Sequence, residues 1–238
     1  MSDSFARPHE LPRWLRPLGV FTLLAFVAAQ AIAVLISPAD RDMGHLQKIM
    51  YVHVPSAWSA FLAFGIVFLA SVLYLWKRKP EYDLFAAAGA EVGTVLTVLM
   101  IAQGSIWGRP TWGVWWTWDP RLTTSAILLL IFAGYLALRA FTEEEERRAR
   151  WSAAVGILGF INVPIVYMSV RWWRTIHQPQ STVETVYNTY LLGFFLNLAV
   201  FTLLTFYFTI YRYQVAQLER AAEAKAEQAA LSGGGAYV

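Results

Sequence analysis

The chain has no cysteine among its 238 residues, and that absence removes several kinds of chemistry at once. No disulfide is available, no thiolate can bind a metal, and no porphyrin can be attached covalently through a Cys-x-x-Cys-His run. A Gly-x-x-x-x-Gly-Lys-Ser/Thr loop is also missing, so there is no recognisable phosphate cradle for harnessing ATP. Charge is scarce as well: Asp, Glu, Lys and Arg make up 15% of the residues, against about 25% in an ordinary soluble domain. No internal repeat is visible, which gives no support to a transporter built from inverted halves.

What is present is apolar. Hydrophobic residues make up 57% of the chain and the mean hydropathy is +0.44. Six runs, near 17–36, 55–76, 84–106, 123–141, 153–170 and 189–211, reach the roughly 20 residues that cross a bilayer as helix. The expected fold is therefore an all-α integral membrane protein with six transmembrane helices and short outer loops. Arg7, Arg13 and Arg16 precede the first run and Ala-x-Ala patterns lie near Ala31, as in a signal peptide. The run exceeds the usual apolar region of about 7–15 residues, and the sequence opens on Met1, so the expectation is a retained helix.

Basic residues set the expected orientation. With the N-terminus inside, the inner side collects Arg7, Arg13, Arg16, Lys77, Arg78, Lys79, Arg139, Arg147, Arg148, Arg150, Arg212, Arg220 and Lys225. The outer side receives Arg41, Lys48, Arg109, Arg121, Arg171 and Arg174, a split of thirteen to six. Both termini are expected in the cytoplasm. The net charge of +3 then reflects topology, and nothing suggests nucleic acid. The chain divides into a cytoplasmic segment (1–16), a membrane domain (17–211) whose tryptophan loop covers 107–122, and a cytoplasmic tail (212–238). The tail is rich in Ala, Glu and Lys, so it should extend the last helix before Ser232-Gly-Gly-Gly235 begins a flexible end.

Within the spans, Gly89-x-x-x-Gly93 suits close helix packing. Glu91 lies between those glycines with no obvious cationic partner in the neighbouring spans. It reads either as a functional carboxylate or as a protonated or hydrogen-bonded residue near the inner interface. Pro164, just after Asn162, should kink the fifth helix and free a carbonyl nearby.

Five of the eleven tryptophans fall in Trp107-Gly-Arg-Pro-Thr-Trp112-Gly-Val-Trp115-Trp116-Thr-Trp118-Asp119. Such a cluster calls for a planar partner or a membrane interface. Gly108, Pro110, Gly113 and Pro120 break helix, so the rings are expected on an irregular loop. His45 and His53 lie on the first expected outer loop and His177 on the third, whereas His9 belongs to the inner N-terminal segment. All three outer loops thus offer something to one flat, iron-containing ligand. Neutral imidazoles from two loops can take both axial positions of a heme, with indoles covering its faces. His53, two residues before Pro55, is better fixed than His45. Arg121, Arg171 and Arg174, with Lys48 and Arg109 on the same side, suit the two propionates, or else contact lipid phosphates. Asp119 reads as fixing the loop, by holding an indole N–H or pairing with Arg121.

These residues resemble a known family. Trp107-Gly-x-Pro-x-Trp-Gly-x-Trp-Trp-x-Trp-Asp119-x-Arg-Leu-Thr is similar to the "WWD" signature of the heme-handling proteins of cytochrome c maturation. Lys48-Ile-Met-Tyr-Val-His-Val-Pro55 and Trp172-Trp-x-x-x-His-Gln178, with six spans, resemble its CcmC branch over nearly the whole chain. The resemblance implies non-covalent binding of heme b at the periplasmic face of a bacterial inner membrane and its delivery to the heme chaperone CcmE. The ABC-type subunits CcmA and CcmB and the small membrane protein CcmD are the implied partners, beside the lipid bilayer. It also implies that His53 and His177 are the axial ligands. Trp107, Trp112, Trp115, Trp116, Trp118, Asp119, Arg121, Arg171, Arg174 and Lys48 are the implied residues around the cofactor. Lys48 stands where Arg is common, which leaves a point-charge donor, and His45 matches no ligand of the family. The expected protein transfers heme without catalysing bond making. The alternative is a heme lyase like the related CcmF or CcsA proteins, which resemble this chain in the tryptophan loop but generally have more spans. A third reading is a scaffold or solute transporter whose tryptophans only anchor it at the interface.

Overall fold

The computed structural model describes residues 10–180 and 186–233. Arg7, His9, most of the expected 1–16 segment, part of the third expected outer segment and the end beyond Gly233 lie outside the described residues. Helix α1 (Leu15–Ala31) widens into one π-turn at Ile32–Ile36. A 3-10 turn at His45–Ile49 leads into α2 (Met50–Lys77), followed by α3 (Pro80–Trp112) and α4 (Pro120–Phe141). Next come α5 (Glu145–Phe160), α6 (Asn162–Trp172) and the long α7 (Asn188–Gly233). Among the described residues, six helical stretches are long and apolar enough to cross a membrane, α5 and α6 together forming the fifth. The protein is an all-α integral membrane protein. No strand occurs among the described residues.

Helix ends follow local chemistry. Helices α3 and α4 each start on a proline, Pro80 and Pro120, where the missing N–H is one that would lack a helical partner anyway. Glu81 and Asp83 add negative charge to the first turn of α3, where it meets the positive end of the helix dipole. The fifth span breaks at Ile161, three residues before Pro164, as the sequence leads one to expect. There Asn162 Nδ2 donates to the Thr124 carbonyl at 2.9 Å and ties the break to α4. Helix α7 continues as helix to Gly233, through the Ala/Glu/Lys-rich stretch.

The centre of the bundle is a seam between α2 and α3. Phe64 on α2 stacks on Phe132 of α4 with centroids 3.6 Å apart. Gly93 of α3 lies beneath the same ring, and a Cβ there would come within 2.6 Å of it. Gly89 faces the Ala63 carbonyl and Val67 in the same way. The Gly89/Gly93 pair is thus a packing device, since without side chains the helices can approach closely. Ala60, Val67, Ala86, Ala90, Leu128, Tyr135 and Val166 complete this core, while α7 closes the far side against α1, α2 and α3.

Charge inside the bundle is paired. Asp83 of α3 and Arg139 of α4 form a two-pronged bridge at 2.5 and 2.9 Å, with side chains 9% and 13% exposed. The sequence places Arg139 only among the inner basic residues. Glu91 does have a cationic partner: Arg212 Nε and Nη2 reach its carboxylate at 2.5 and 3.2 Å. The expectation of none fails because Arg212 lies just past the last apolar run, and α7 carries it on unbroken to the level of Glu91.

Removing one partner of a buried pair leaves an uncompensated charge at a cost of about 3 kcal/mol or more. Asp83→Ala should therefore lower the unfolding midpoint of the detergent-solubilised protein sharply. The double variant Asp83→Ala/Arg139→Leu should recover most of that loss, and thermal unfolding of both variants checks it.

Candidate functional site

At the end of the bundle where α3 finishes and α4 begins, five chain segments surround a half-open cleft of about 750 Å³, its mouth included. The start of α2 contributes Met50 and His53, and α3 contributes Met100, Gly104, Ser105, Trp107 and Trp112. Trp116 comes from the connection to α4, Arg121 and Ser125 from α4 itself, and His177 and Gln178 from the segment after α6. Residues 53 and 177 thus reach one cavity from opposite parts of the chain.

The tryptophan run is less irregular than the sequence suggests. Helix α3 passes through Gly108 and Pro110 and ends only at Trp112, where Gly113 adopts a φ of 81° and donates its N–H to the Arg109 carbonyl. A proline deletes one helical donor without necessarily ending a helix, whereas a positive φ is a stop that glycine takes at little cost. Gly108 allows the Trp112 ring to lie close, 3.1 Å from where a Cβ would stand. Trp107 and Trp112 are therefore held on helix, edge to face with centroids 5.2 Å apart. Only residues 113–119 are irregular. Trp116 and Trp118 pair edge to face at 5.6 Å, and Trp115 and Trp118 are 59% and 75% exposed. Neither of these two lines the cleft.

The histidines differ in how they are held. His53 is not on a loop: α2 begins at Met50, so the imidazole rises from its first turns. Its Nδ1 is buried and has no hydrogen-bond partner. Gly104 of α3 faces the ring, and a Cβ there would stand 3.1 Å from His53 Cε1. His177 lies 6.1 Å from the Trp112 ring, centroid to centroid. Its Nδ1 is 2.8 Å from the Gln178 carbonyl. A carbonyl only accepts, so Nδ1 carries the proton and the neutral ring presents Nε2 as a lone pair. Burial holds the His177 pKa below its ordinary 6.5, with the Gln178 contact pulling the other way. His45 sits exposed on the 3-10 turn, away from the cleft.

Asp119 does something the sequence only half discloses. It caps α4 by accepting the Arg121 N–H at 2.9 Å. The same carboxylate accepts from Thr175 Oγ1 at 2.7 Å and from the Ile176 N–H at 2.9 Å. The Thr175 hydroxyl in turn accepts the His177 N–H at 3.0 Å. Asp119 thus joins the tryptophan connection to the segment presenting His177. It holds backbone and a hydroxyl rather than an indole or the Arg121 side chain.

The cationic residues divide. Arg121 lines the cleft, with its guanidinium donating to the Val166 and Tyr167 carbonyls at 2.5 and 3.2 Å. Arg171 donates to Gln180 Oε1 at 3.2 Å, and Arg174 is exposed on the segment that carries His177. Lys48 is turned away, donating to the Val34 carbonyl at 2.7 Å, and Arg109 donates to the Gly113 carbonyl. Of the expected set, the structure gathers His53, His177, Trp107, Trp112, Trp116 and Arg121 around one cavity. It leaves Trp115, Trp118, Asp119, Arg171, Arg174 and Lys48 outside its lining. Gly104, Ser105 and Ser125 are lining residues the sequence reading passes over. The polar triplet Gln103-Gly104-Ser105 inside an apolar span is the signal that marks the first two.

These features define a polytopic helical membrane protein whose one end carries a two-histidine, tryptophan-walled cleft. Residues 3–228 match the family described as heme exporter protein C, CcmC, and the chain belongs to that family. It is 40% identical over 171 residues to heme exporter protein C of Bradyrhizobium diazoefficiens, covering 72% of this chain and 64% of that protein. The chain thus spans a little under two thirds of that relative's length. It is 32% identical over 180 residues to heme exporter protein C of Escherichia coli K12, covering 75% and 73% of the two chains. A Marchantia polymorpha mitochondrial protein, named as CcmC-like and for cytochrome c biosynthesis, is 36% identical over 191 residues, covering 78% and 81%.

Asp119→Ala removes a cap and two links to the 175–176 segment, and a cap alone is worth about 1 kcal/mol. Hydrogen exchange at the Arg121 and Ile176 amides should accelerate by about tenfold or more, while exchange in the α2–α3 seam stays unchanged. The depressed His177 pKa sets a pH dependence. Below pH 6.5 the unfolded chain takes up a proton that the folded one resists, so this contribution to stability is full above 6.5 and lost as pH falls below it. Thermal unfolding at pH 8 and pH 5.5 should show a larger drop for the native protein than for His177→Gln.

Proposed function

We propose that this protein binds heme b non-covalently as cargo between His53 and His177 and passes it to the heme chaperone CcmE during cytochrome c maturation. The observation that carries the reading is the pair of imidazoles. One has an unpartnered buried nitrogen and the other a tautomer fixed to leave Nε2 free, and both face a cleft walled by Trp107, Trp112 and Trp116. Heme iron takes two such nitrogens axially, and indole faces suit the porphyrin. The names of the family and of its relatives, heme exporter and cytochrome c biosynthesis, support the same cargo.

In this reading Arg121 is the basic residue placed to meet a propionate. Arg171 and Arg174 serve the mouth of the cleft, and Lys48 serves the fold. Exposed Trp115 and Trp118 offer an apolar edge to the receiving chaperone. The cleft faces the periplasm and both termini face the cytoplasm of a bacterial inner membrane, a reading that the thirteen-to-six distribution of basic residues supports. CcmA, CcmB and CcmD are the partners in that membrane. The protein itself transfers heme and makes no covalent bond to it.

Absorbance of the purified protein tests the ligation. The native protein should show a Soret band of six-coordinate heme. His53→Ala and His177→Ala should each lower heme content about tenfold, a loss worth roughly 1.4 kcal/mol, while eluting as a single species. Unchanged heme content and spectrum in both variants would sink the proposal. Accumulation of heme on apocytochrome rather than on CcmE would assign the cleft to a lyase instead.

A further inference from the structure

On the flank of the bundle, separate from the histidine cleft, a second crevice runs between α1, α3 and α7. It encloses about 1420 Å³, open side included, and its walls are almost wholly apolar: Phe26, Leu96, Leu99, Phe201, Leu204 and Phe208 among others. Its two charged members are Glu91 and Arg212, which meet at one end. Both side chains stay partly open, 38% and 34% exposed. Along α3 the crevice extends from Glu91 to Gln103, twelve residues or roughly 18 Å of helix. That is about the depth of one leaflet, half of a hydrocarbon core near 30 Å. Arg212 stands where the apolar run of α7 gives way to the polar sequence Gln214, Gln217, Glu219, Arg220, which sets the charged end at the membrane surface and the apolar length beneath it.

We infer that this crevice is a binding site for a single zwitterionic aminophospholipid. One acyl chain lies along α3, the phosphate sits against Arg212 and the ammonium sits against Glu91. Shape and charge are complementary. An apolar slot one leaflet deep matches an acyl chain, which gains about 0.8 kcal/mol per buried CH₂. The two opposite charges at its surface end match a headgroup carrying both signs. An anionic lipid would find Arg212 but meet the Glu91 carboxylate as a like charge. The site does not depend on the heme reading.

Native mass spectrometry of the full-length protein, delipidated in detergent and titrated with phosphatidylethanolamine or phosphatidylglycerol, tests the inference. The native protein should retain one phosphatidylethanolamine about tenfold more tightly than phosphatidylglycerol, the scale of one interfacial charge contact. Glu91→Gln should reverse or abolish that preference, because it removes the ammonium partner and the repulsion together. Arg212→Gln should weaken both lipids. Circular dichroism and heme content serve as controls that the variants fold. Equal retention of the two lipids by the native protein would overturn the proposal, as would retention unchanged in both variants. So would displacement of the lipid by heme at this crevice, which would reassign it to the cargo.

Discussion

The close approach of α2 and α3 is the constraint on which the rest of the structure depends. It is set where glycine replaces a side chain: Gly89 against Ala63 and Val67, Gly93 against the Phe64 ring, and Gly104 against His53. All three lie on α3, and all three face α2. In a bilayer, apolar burial between helices gains little over burial in lipid, so packing and polar contacts must hold helices together. Three missing side chains spaced along one seam supply that packing. The same seam that fixes the core at Phe64 also fixes how far His53 stands from the helix bearing Trp107 and Trp112. Any larger residue at position 104 would push on the imidazole directly.

Polar groups then decide which elements are held to that seam. Asp83–Arg139 ties α4 to α3, Glu91–Arg212 ties α7 to α3, and Asn162 ties the break in the fifth span to α4. At the cleft end, Asp119 does the same for two irregular segments. Each link satisfies groups that would be expensive to leave unpaired in an apolar surrounding. The arrangement is economical in sequence, since two ion pairs and one amide link α3, α4, α6 and α7.

Much of this was legible in the residues. The six spans, the glycine pair, the Pro164 break and the clustering of His53 and His177 with the tryptophans all follow from local composition and spacing. What escaped has a common cause. Gly108 and Pro110 suggest a helix end in the sequence, yet only a residue in positive φ, Gly113, stops α3. Membrane helices tolerate a proline because neighbouring helices, side chains and local adjustments re-satisfy the backbone group it frees. The links of Asp119 to Thr175 and Ile176, of Asp83 to Arg139 and of Glu91 to Arg212 join residues 56, 57 and 121 positions apart. No periodicity or motif along a single chain encodes such pairs; they exist only once the helices have packed.

The two halves of the tryptophan run also differ in mechanical character. Trp107 and Trp112 are carried on a helix whose position is fixed by the α2–α3 seam, and Trp112 lies against His177. Trp115, Trp116 and Trp118 ride a short connection held at its far end by Asp119. In the proposed function this asymmetry has a use. A cargo that must be held and then surrendered needs one wall that does not move and another that can. Helical backbone, with nearly all its hydrogen bonds made internally, supplies the first. A connection of seven irregular residues between Trp112 and Pro120 supplies the second, because its few backbone bonds make local opening inexpensive. Since His177 is joined to that connection through Asp119 and Thr175, movement of the outer wall is coupled to the ligand on that side. His53, on α2, stays in place. Release by this route loosens one axial ligand and one wall together while the other ligand and wall remain, which favours a directed hand-over above simple escape into water.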